Sequence, residues 1–509
     1  MKKTIPVFLF IFCTCLIPAA VWGGCDSTPP PPGGGEDNDP PGEVVNLTAT
    51  PDDEQVTLEW QNPGDSDFAG VKIMFRIDTY PVDHTDGTEV YNDSGESFLH
   101  TNLTNGVTCY YSVFTYDTAS NYSSGSNESA MPKSPKFGSE VTKILADDGA
   151  KDDQFGISVS ISGDYMIVGA NKNDAGAGNA GAAYIYHWSG FEWTEQQKLF
   201  PAEPGSNSSF GYSVSIQGDR AIVGAPWYTV DPGSNGAAFI FKRDGAQWIE
   251  EQKLTLTNTS YGDRFGYAVA IYNDRAIVGA LALDEVGRNS GAAFLYLWDG
   301  NTWIEQQKII ASDLSEREQF GRAVAMYEEY AVVGSYYRPH FSQGAAYVFY
   351  WDGINWTEQQ KITSSPFGPG YHYGANVAIE GARAVCSAHG NEAAYVFDRA
   401  LSTWTEEKKL SASDNVKGDS FGFAVDIHGE YIIVGAHEDD DKGGGSGSAY
   451  VFYWDGVDWV QVQKLTASDG TASAHFGRSV AISDDFAVVG AYQDDNVNGD
   501  EAGAVYIFE

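Results

Sequence analysis

Cysteine is sparse in this chain, 5 among 509 residues. Cys13 and Cys15 lie in a leader-like stretch, and Cys109 and Cys386 fall in different predicted domains, so no disulfide is expected. Basic residues are also few. Lys and Arg total 30 against 70 Asp and Glu, a formal charge of −40, which argues against nucleic acid or anionic lipid as a partner. Beyond the N-terminal stretch no apolar run reaches about 18 residues, so no membrane span is predicted. The sequence lacks a G-x-S-x-G elbow, an H-E-x-x-H helix, a P-loop and any Cys/His metal spacing. Its 9 histidines are scattered: His340, His372 and His475 fall in loops, and His389 and His437 each follow a V-G-A-like phrase. Dispersed loop histidines read as solvated.

Glycine and aromatic residues are plentiful, and both recur on a schedule. The pair Phe-Gly returns at Phe155, Phe210, Phe265, Phe320, Phe421 and Phe476, with Tyr373-Gly374 filling one gap, at spacings of 55, 55, 55, 53, 48 and 55 residues. Each copy opens one phrase, as in QFGISVSISGDYMIVGA from 154 and HFGRSVAISDDFAVVGA from 475. Period-2 alternation predicts a hairpin, then a third strand such as GAAYIYHW, then a fourth after an Asp-Gly turn expected to be type I′. Paired tryptophans flank those turns (Trp188 and Trp193, Trp298 and Trp303, Trp351 and Trp356, Trp454 and Trp459) and read as packing across the hairpin.

A seven-fold repeat of about 50 residues with four short strands per unit predicts a β-propeller. The Phe-Gly strand, alternating Val or Ile with Ser or Ala, is expected innermost, and the polar strand WTEQQKL outermost. The chain stops at Glu509 after a third strand, while EVTKILADDG at 140–149 matches the fourth, Lys143 lying 55 residues before Lys198. Residues 141–146 are therefore expected to pair with 503–508. The fold class is all-β, a seven-bladed propeller over 138–509 closed by an N-terminal outer strand.

These phrases resemble FG-GAP repeats, the units of integrin α-subunit propellers, and more closely the short bacterial version. The resemblance implies D-x-D-x-D-G calcium loops between the first two strands. Here that connection is only SGD, QGD, YND or HGE, too short to wrap a calcium ion. A loop elsewhere, with Asp494, Asn496, Asn498 and Asp500, reproduces half of an EF-hand-like spacing; it admits Ca2+ and equally a solvated turn. No other cofactor is expected.

At the front, Lys2-Lys3, an apolar run from Ile5 to Ile17 and Gly23-Gly24-Cys25 read as an export signal over 1–24 with lipidation of Cys25. A Pro/Gly-rich tether over 25–43 follows. Residues 44–134 resemble a fibronectin type III-like β-sandwich, with Val56, Leu58 and Trp60 facing inward and Cys109 packed as a small apolar side chain.

Where the repeats break, the breaks are aromatic. Trp227 and Tyr228, then Tyr336, Tyr337, Arg338, His340 and Phe341, then Tyr371 and His372, all fall on the face carrying the connections between the second and third strands. That composition suits a protein contact, a glycan site or a plug in the ring mouth. The expected function is a noncatalytic, exported, lipid-anchored cell-envelope adhesion or interaction module, held to the membrane by the lipid and taking a protein or glycan at the propeller face. The alternative is a carbohydrate-binding or polysaccharide-cleaving propeller.

Overall fold

The computed structural model describes residues 38–52, 54–132, 136–229, 235–256, 262–336, 344–363 and 372–509. The chain divides into two compact units, Met1–Lys133 and Ser134–Glu509. Among the described residues there are nine antiparallel sheets, and no helix is long and apolar enough to cross a membrane.

In the first unit, strands Val45–Asp52, Gln55–Gln61 and Ser97–Thr101 form one sheet. Thr88–Asp93, Phe68–Arg76, Cys109–Asp117 and Ser126–Ala130 form the other, side by side in that order. Alternation along Gln55–Gln61 turns Val56, Leu58 and Trp60 into a core shared with Val71, Ile73, Tyr111 and Val113. Cys109 is buried in the same core.

The second unit repeats one sheet seven times, four strands each. The first copy runs Phe155–Ser162, Tyr165–Ala170, Ala182–Trp188 and Trp193–Leu199, paired in chain order. Its second strand is buried from Met166 to Ala170, which explains why it reads as an unbroken apolar run, covered by neighbouring sheets on both faces. The fourth strand is buried only at Trp193 and Leu199, so its middle is polar. In the last copy, Phe476–Ile482, Ala487–Ala491 and Ala504–Phe508 take Glu140–Ile144 as the fourth strand, with Val505 opposite Ile144 and Tyr506 opposite Lys143.

The Phe-Gly pair joins one sheet to the next. Phe210, Phe265, Phe320 and Phe476 each donate a backbone N–H to the preceding repeat, at Ala180, Asn235, Ser290 and Ser446, at 2.9, 3.2, 2.9 and 3.0 Å. Phe155 donates in the same way to Ala502 of the last repeat, at 3.0 Å. The fifth repeat departs from this scheme: the Glu392 carboxylate accepts the N–H of Phe421 at 2.7 Å and of Gly418 at 2.9 Å. The first strands of all seven repeats line one common cavity of about 310 Å³.

The tryptophan pairs meet across their hairpins at 5.7–5.8 Å. Arginines of preceding repeats, Arg220, Arg275 and Arg383, lie over three of these pairs. The turns differ from expectation. Asp299 accepts from the N–H groups of Asn301 and Thr302, both at 2.8 Å, and Asp352 and Asp455 do likewise. Only the glycines there have positive φ. A carboxylate that satisfies two loop donors replaces the expected type I′ turn.

At the cavity end where the first strands finish, His428 lies 3.1 Å from Glu380 and 3.3 Å from Asp484. Its hydrogen bond to Glu380 holds its pKa up to about 9 against the usual 6.5. The protonated imidazole thus stabilises the fold fully below pH 6.5, and that contribution is lost as pH rises through 9. Buried Asp426, pushed up to about 7 by desolvation, loses its contribution in the same direction but lower, between about pH 4 and 7. Thermal melts should show Tm falling from about pH 6.5 to 9, with a flatter decline in His428→Gln. The same slope in wild type and variant would remove His428 from the account.

Candidate functional site

Each repeat sends three positions to the cavity end where the first strands begin: the residues either side of Phe-Gly and the residue after V-G-A. The residue before Phe-Gly has φ between 51° and 60° in every repeat. This left-handed turn is a property of the repeat, while the side chain it carries changes from copy to copy: Gln154, Ser209, Arg264, Gln319, His372, Ser420 and His475.

From the second repeat to the seventh these side chains, joined by Trp227 one residue further along, form a continuous arc of ring contacts. Trp227 packs edge-on to Tyr212 at 5.2 Å, and Tyr212 to Tyr267 at 4.9 Å with their hydroxyls 2.8 Å apart. Arg322 spans Tyr267 and Tyr336 at 4.9 and 5.2 Å. Tyr336 meets His372, whose Nδ1 is 3.0 Å from His389 Nε2. His389 touches Phe423, Phe423 touches His437 at 4.1 Å, and His437, His475 and Tyr492 continue the series. Arg478 lies over Phe423 and Tyr492.

Burial, followed by the charges of His372, Arg322 and Arg478, pushes the His389 pKa down to about 3. Burial and Arg478 do the same to His437, also to about 3, and burial and Arg322 lower His372. These three imidazoles are neutral at ordinary pH. Formal positive charge in the arc is therefore carried by Arg264, which lies over Trp227 at 5.6 Å, and by Arg322 and Arg478, neither of which pairs with a carboxylate among the described residues. In a chain of net charge −40, this mouth is locally cationic.

Of the residues singled out from sequence, Trp227 (36% exposed), Tyr336 and His372 belong to the arc. Tyr228 does not. It is fully buried, packs on Phe239 at 5.2 Å and donates its hydroxyl to the Glu203 carbonyl, so it is a core residue. Tyr337, Arg338, His340, Phe341, Tyr371 and Cys25 lie outside the described residues. The reading of the histidines as solvated is corrected: His372, His389, His437 and His475 converge across repeats from 372 to 492. Aligning the seven copies at V-G-A and Phe-Gly would have placed them at equivalent positions. Which copy faces which is not visible in the alignment.

Each residue of the calcium candidate has its own partner. Asp494 is buried, with its carboxylate 2.9 Å from the Lys143 ammonium and accepting the Tyr506 hydroxyl at 2.9 Å. Asn496 donates to Asp494 and the Gly503 carbonyl, Asn498 donates to Ala146, and Asp500 pairs with Lys151 at 2.7 Å. Two ammonium groups already hold the carboxylates a cation would need. Lys464 plays the part of Lys143 one repeat earlier, with Asp414, Asp439 and Tyr450, so the clasp belongs to the repeat.

The FG-GAP repeat model matches residues 139–186, 193–241, 248–296, 303–349, 404–452 and 459–508, more than half of the chain. The chain belongs to the FG-GAP repeat family. Its second unit is an FG-GAP repeat β-propeller; the stretch from 350 to 403, which holds the first three strands of the fifth repeat, lies outside the matched segments and supplies His372 and His389 to the arc. No curated protein matches the chain. Among solved structures it is similar to the spore cortex lytic enzyme SleM of Clostridium perfringens, at 14% identity over 18% of this chain and 28% of that one, TM-score 0.15. It is also similar to a candidate 6-phosphogluconolactonase from Bacteroides uniformis, at 10% identity over 64% of this chain and 89% of that one, TM-score 0.44. The chain spans little more than a quarter of SleM, and at these scores neither likeness bears on the propeller's function.

Proposed function

We propose that this chain is a noncatalytic, exported interaction or adhesion module of the cell envelope, anchored by lipid on Cys25. A fibronectin type III-like sandwich and a seven-bladed propeller follow the tether, with ligand taken at the propeller mouth. Closure of the ring is supported by the bridge from Gly503 to Phe155, which repeats the bridges between neighbouring sheets, and by the pairing of 140–144 with 504–508. The sandwich reading is supported by its two packed sheets and shared core.

The observation that carries the functional reading is the arc itself: aromatic rings with the guanidiniums of Arg264, Arg322 and Arg478 gathered where the repeat is otherwise free to vary. Aromatics with arginine are the composition of binding hot spots, and the local positive charge favours a ligand bearing a carboxylate or sulfate. A glycan with acidic substituents suits the same surface. Cleavage of a polysaccharide calls for two carboxylates facing each other across the ligand; the described arc presents phenols, imidazoles and guanidiniums, with Glu438 at one edge, which supports binding.

The test sets neutral and acidic glycans and candidate envelope proteins against the wild-type chain and the variants Trp227→Ala, Tyr336→Ala and Arg322→Gln. Each variant should melt near wild type and weaken binding by about 1–3 kcal/mol. Tyr228→Ala should instead lower Tm and leave the affinity of the folded molecules unchanged. Arc variants that bind like wild type would refute the mouth as the ligand site. A Cys25→Ser chain should leave the membrane fraction.

A further inference from the structure

We propose that His437, Glu438 and His475 form a zinc-binding site at the junction of the sixth and seventh repeats. One donor atom from each of the three lies within 4.8 Å of the other two. His437 Nε2 is 3.4 Å and His475 Nδ1 3.8 Å from Glu438 Oε1. Around a tetrahedral zinc ion with bonds of about 2.0–2.2 Å, donor atoms stand roughly 3.3–3.5 Å apart. The His437–Glu438 edge already has that length, the His475–Glu438 edge is a few tenths of an ångström long, and the edge between the two imidazoles, within 4.8 Å, closes by a side-chain rotation of about 1 Å.

The backbone holds these side chains to one another. Glu438 N–H is bonded to the Asp419 carbonyl at 3.1 Å, His475 N–H to Gly445 at 3.0 Å, Ser473 to Gly444 at 2.9 Å and Phe476 to Ser446 at 3.0 Å. Gly445 forms the floor: a Cβ there would stand 3.3 Å from His475 Cε1 and 3.4 Å from Glu438 Oε2. The glycine thus leaves the space between the ligands clear. Nδ1 of His475 is also 3.2 Å from the His437 carbonyl, a contact that gives way when Nδ1 takes the metal.

Packing alone does not call for this trio. At the position of His437 other repeats carry Pro226, Leu281, Tyr336 and Tyr492, and at that of His475 they carry Gln154, Ser209 and Arg264, so the fold accepts many side chains at both. Two imidazoles meet here because they occupy facing positions on adjacent repeats. The carboxylate between them is available: among the described residues no lysine or arginine pairs with Glu438, since Arg478 lies over Phe423 and Tyr492, and Lys464 is committed to Asp414, Asp439 and Asp441. Two imidazole nitrogens with one carboxylate oxygen suit zinc, whereas calcium and magnesium want oxygen ligands throughout. Glu438 is 43% exposed, which leaves the remaining coordination positions open to water or to an anionic group of a ligand. The site does not depend on the mouth's being the ligand-binding surface.

The test is calorimetric titration of zinc chloride into the metal-stripped full chain, beside Glu438→Gln, His475→Ala and, as a control, His84→Ala in the first unit, where His84 stacks on Tyr122 at 3.8 Å. One zinc per chain should bind, with affinity reduced about a hundredfold in the first two variants, since losing a ligand costs at least the 10–100-fold that losing an outer partner does. The control should match wild type. Zinc should also raise Tm in wild type and not in His475→Ala, and cobalt should give the intense visible absorption of a tetrahedral nitrogen and oxygen site. No saturable binding, zinc binding that survives in His475→Ala or Glu438→Gln, or displacement of zinc by equimolar calcium would each overturn the proposal. Because Glu438 is exposed, Glu438→Gln keeps the test decisive even if His475→Ala proves unstable.

Discussion

A chain lacking residues 138–146 is expected to lose the propeller fold and aggregate. The deleted segment is the only fourth strand of the last sheet, with Val505, Tyr506, Ile507 and Phe508 set against Ile144, Lys143, Thr142 and Glu140. Ser139 adds hydrogen bonds in both directions with Glu509 at 3.0 and 3.3 Å. Without it, the edge from 504 to 508 presents unpaired N–H and C=O groups to other chains. Loss of buried Ile144 costs about 2 kcal/mol. Removing Lys143 leaves buried Asp494 without its ammonium partner, about 3–5 kcal/mol more. Those two terms alone approach the total stability of an ordinary domain, about 5–15 kcal/mol. Lys143→Met separates them: it should keep the ladder and lose only the ion-pair share. A deletion variant that stays monomeric and melts at the wild-type temperature would refute the account.

Gly279→Ala should be among the most damaging single methyls that can be added to the propeller. A Cβ at Gly279 would stand 2.0 Å from the Gly321 carbonyl oxygen of the next repeat, a backbone atom that cannot swing aside. The same approach recurs at Gly169, Gly224, Gly334, Gly435 and Gly490, at 1.9–2.1 Å. The V-G-A glycine is therefore the point where adjacent sheets touch backbone to backbone, and a methyl there forces two sheets apart. Overpacking of this kind costs about 3 kcal/mol or more, a Tm fall of roughly 4 °C for a unit this large. Gly178→Ala is the control, since a Cβ there meets nothing within 4 Å. Equal Tm values for the two variants would contradict the close approach.

The four-stranded sheets were legible in the sequence because a strand's alternation and its turn residues are local, and seven copies repeat the signal. The order of strands within a sheet was legible for the same reason: polarity rises outward as solvent exposure does. The pairing expected of 141–146 with 503–508, from the 55-residue offset between Lys143 and Lys198, is found as 140–144 with 504–508. The candidate site was only partly legible. Trp227, Tyr336 and His372 stood out because they break the repeat, but Tyr228, one residue from Trp227, looked the same and is core. Which of two neighbours turns outward depends on a contact, here Phe239, that lies in another strand of the sheet.

The sequence by itself determined the all-β class, the repeat and its family. Those are properties of backbone geometry and burial that each copy restates. Only the tertiary structure decided that His372, His389, His437 and His475, spread over a hundred residues, share one mouth with Arg322 and Arg478. It likewise decided that Asp494 faces an ammonium group. Contacts of that kind are set by which repeat lies beside which and by the direction in which a left-handed turn aims its side chain, and neither is encoded in a local pattern.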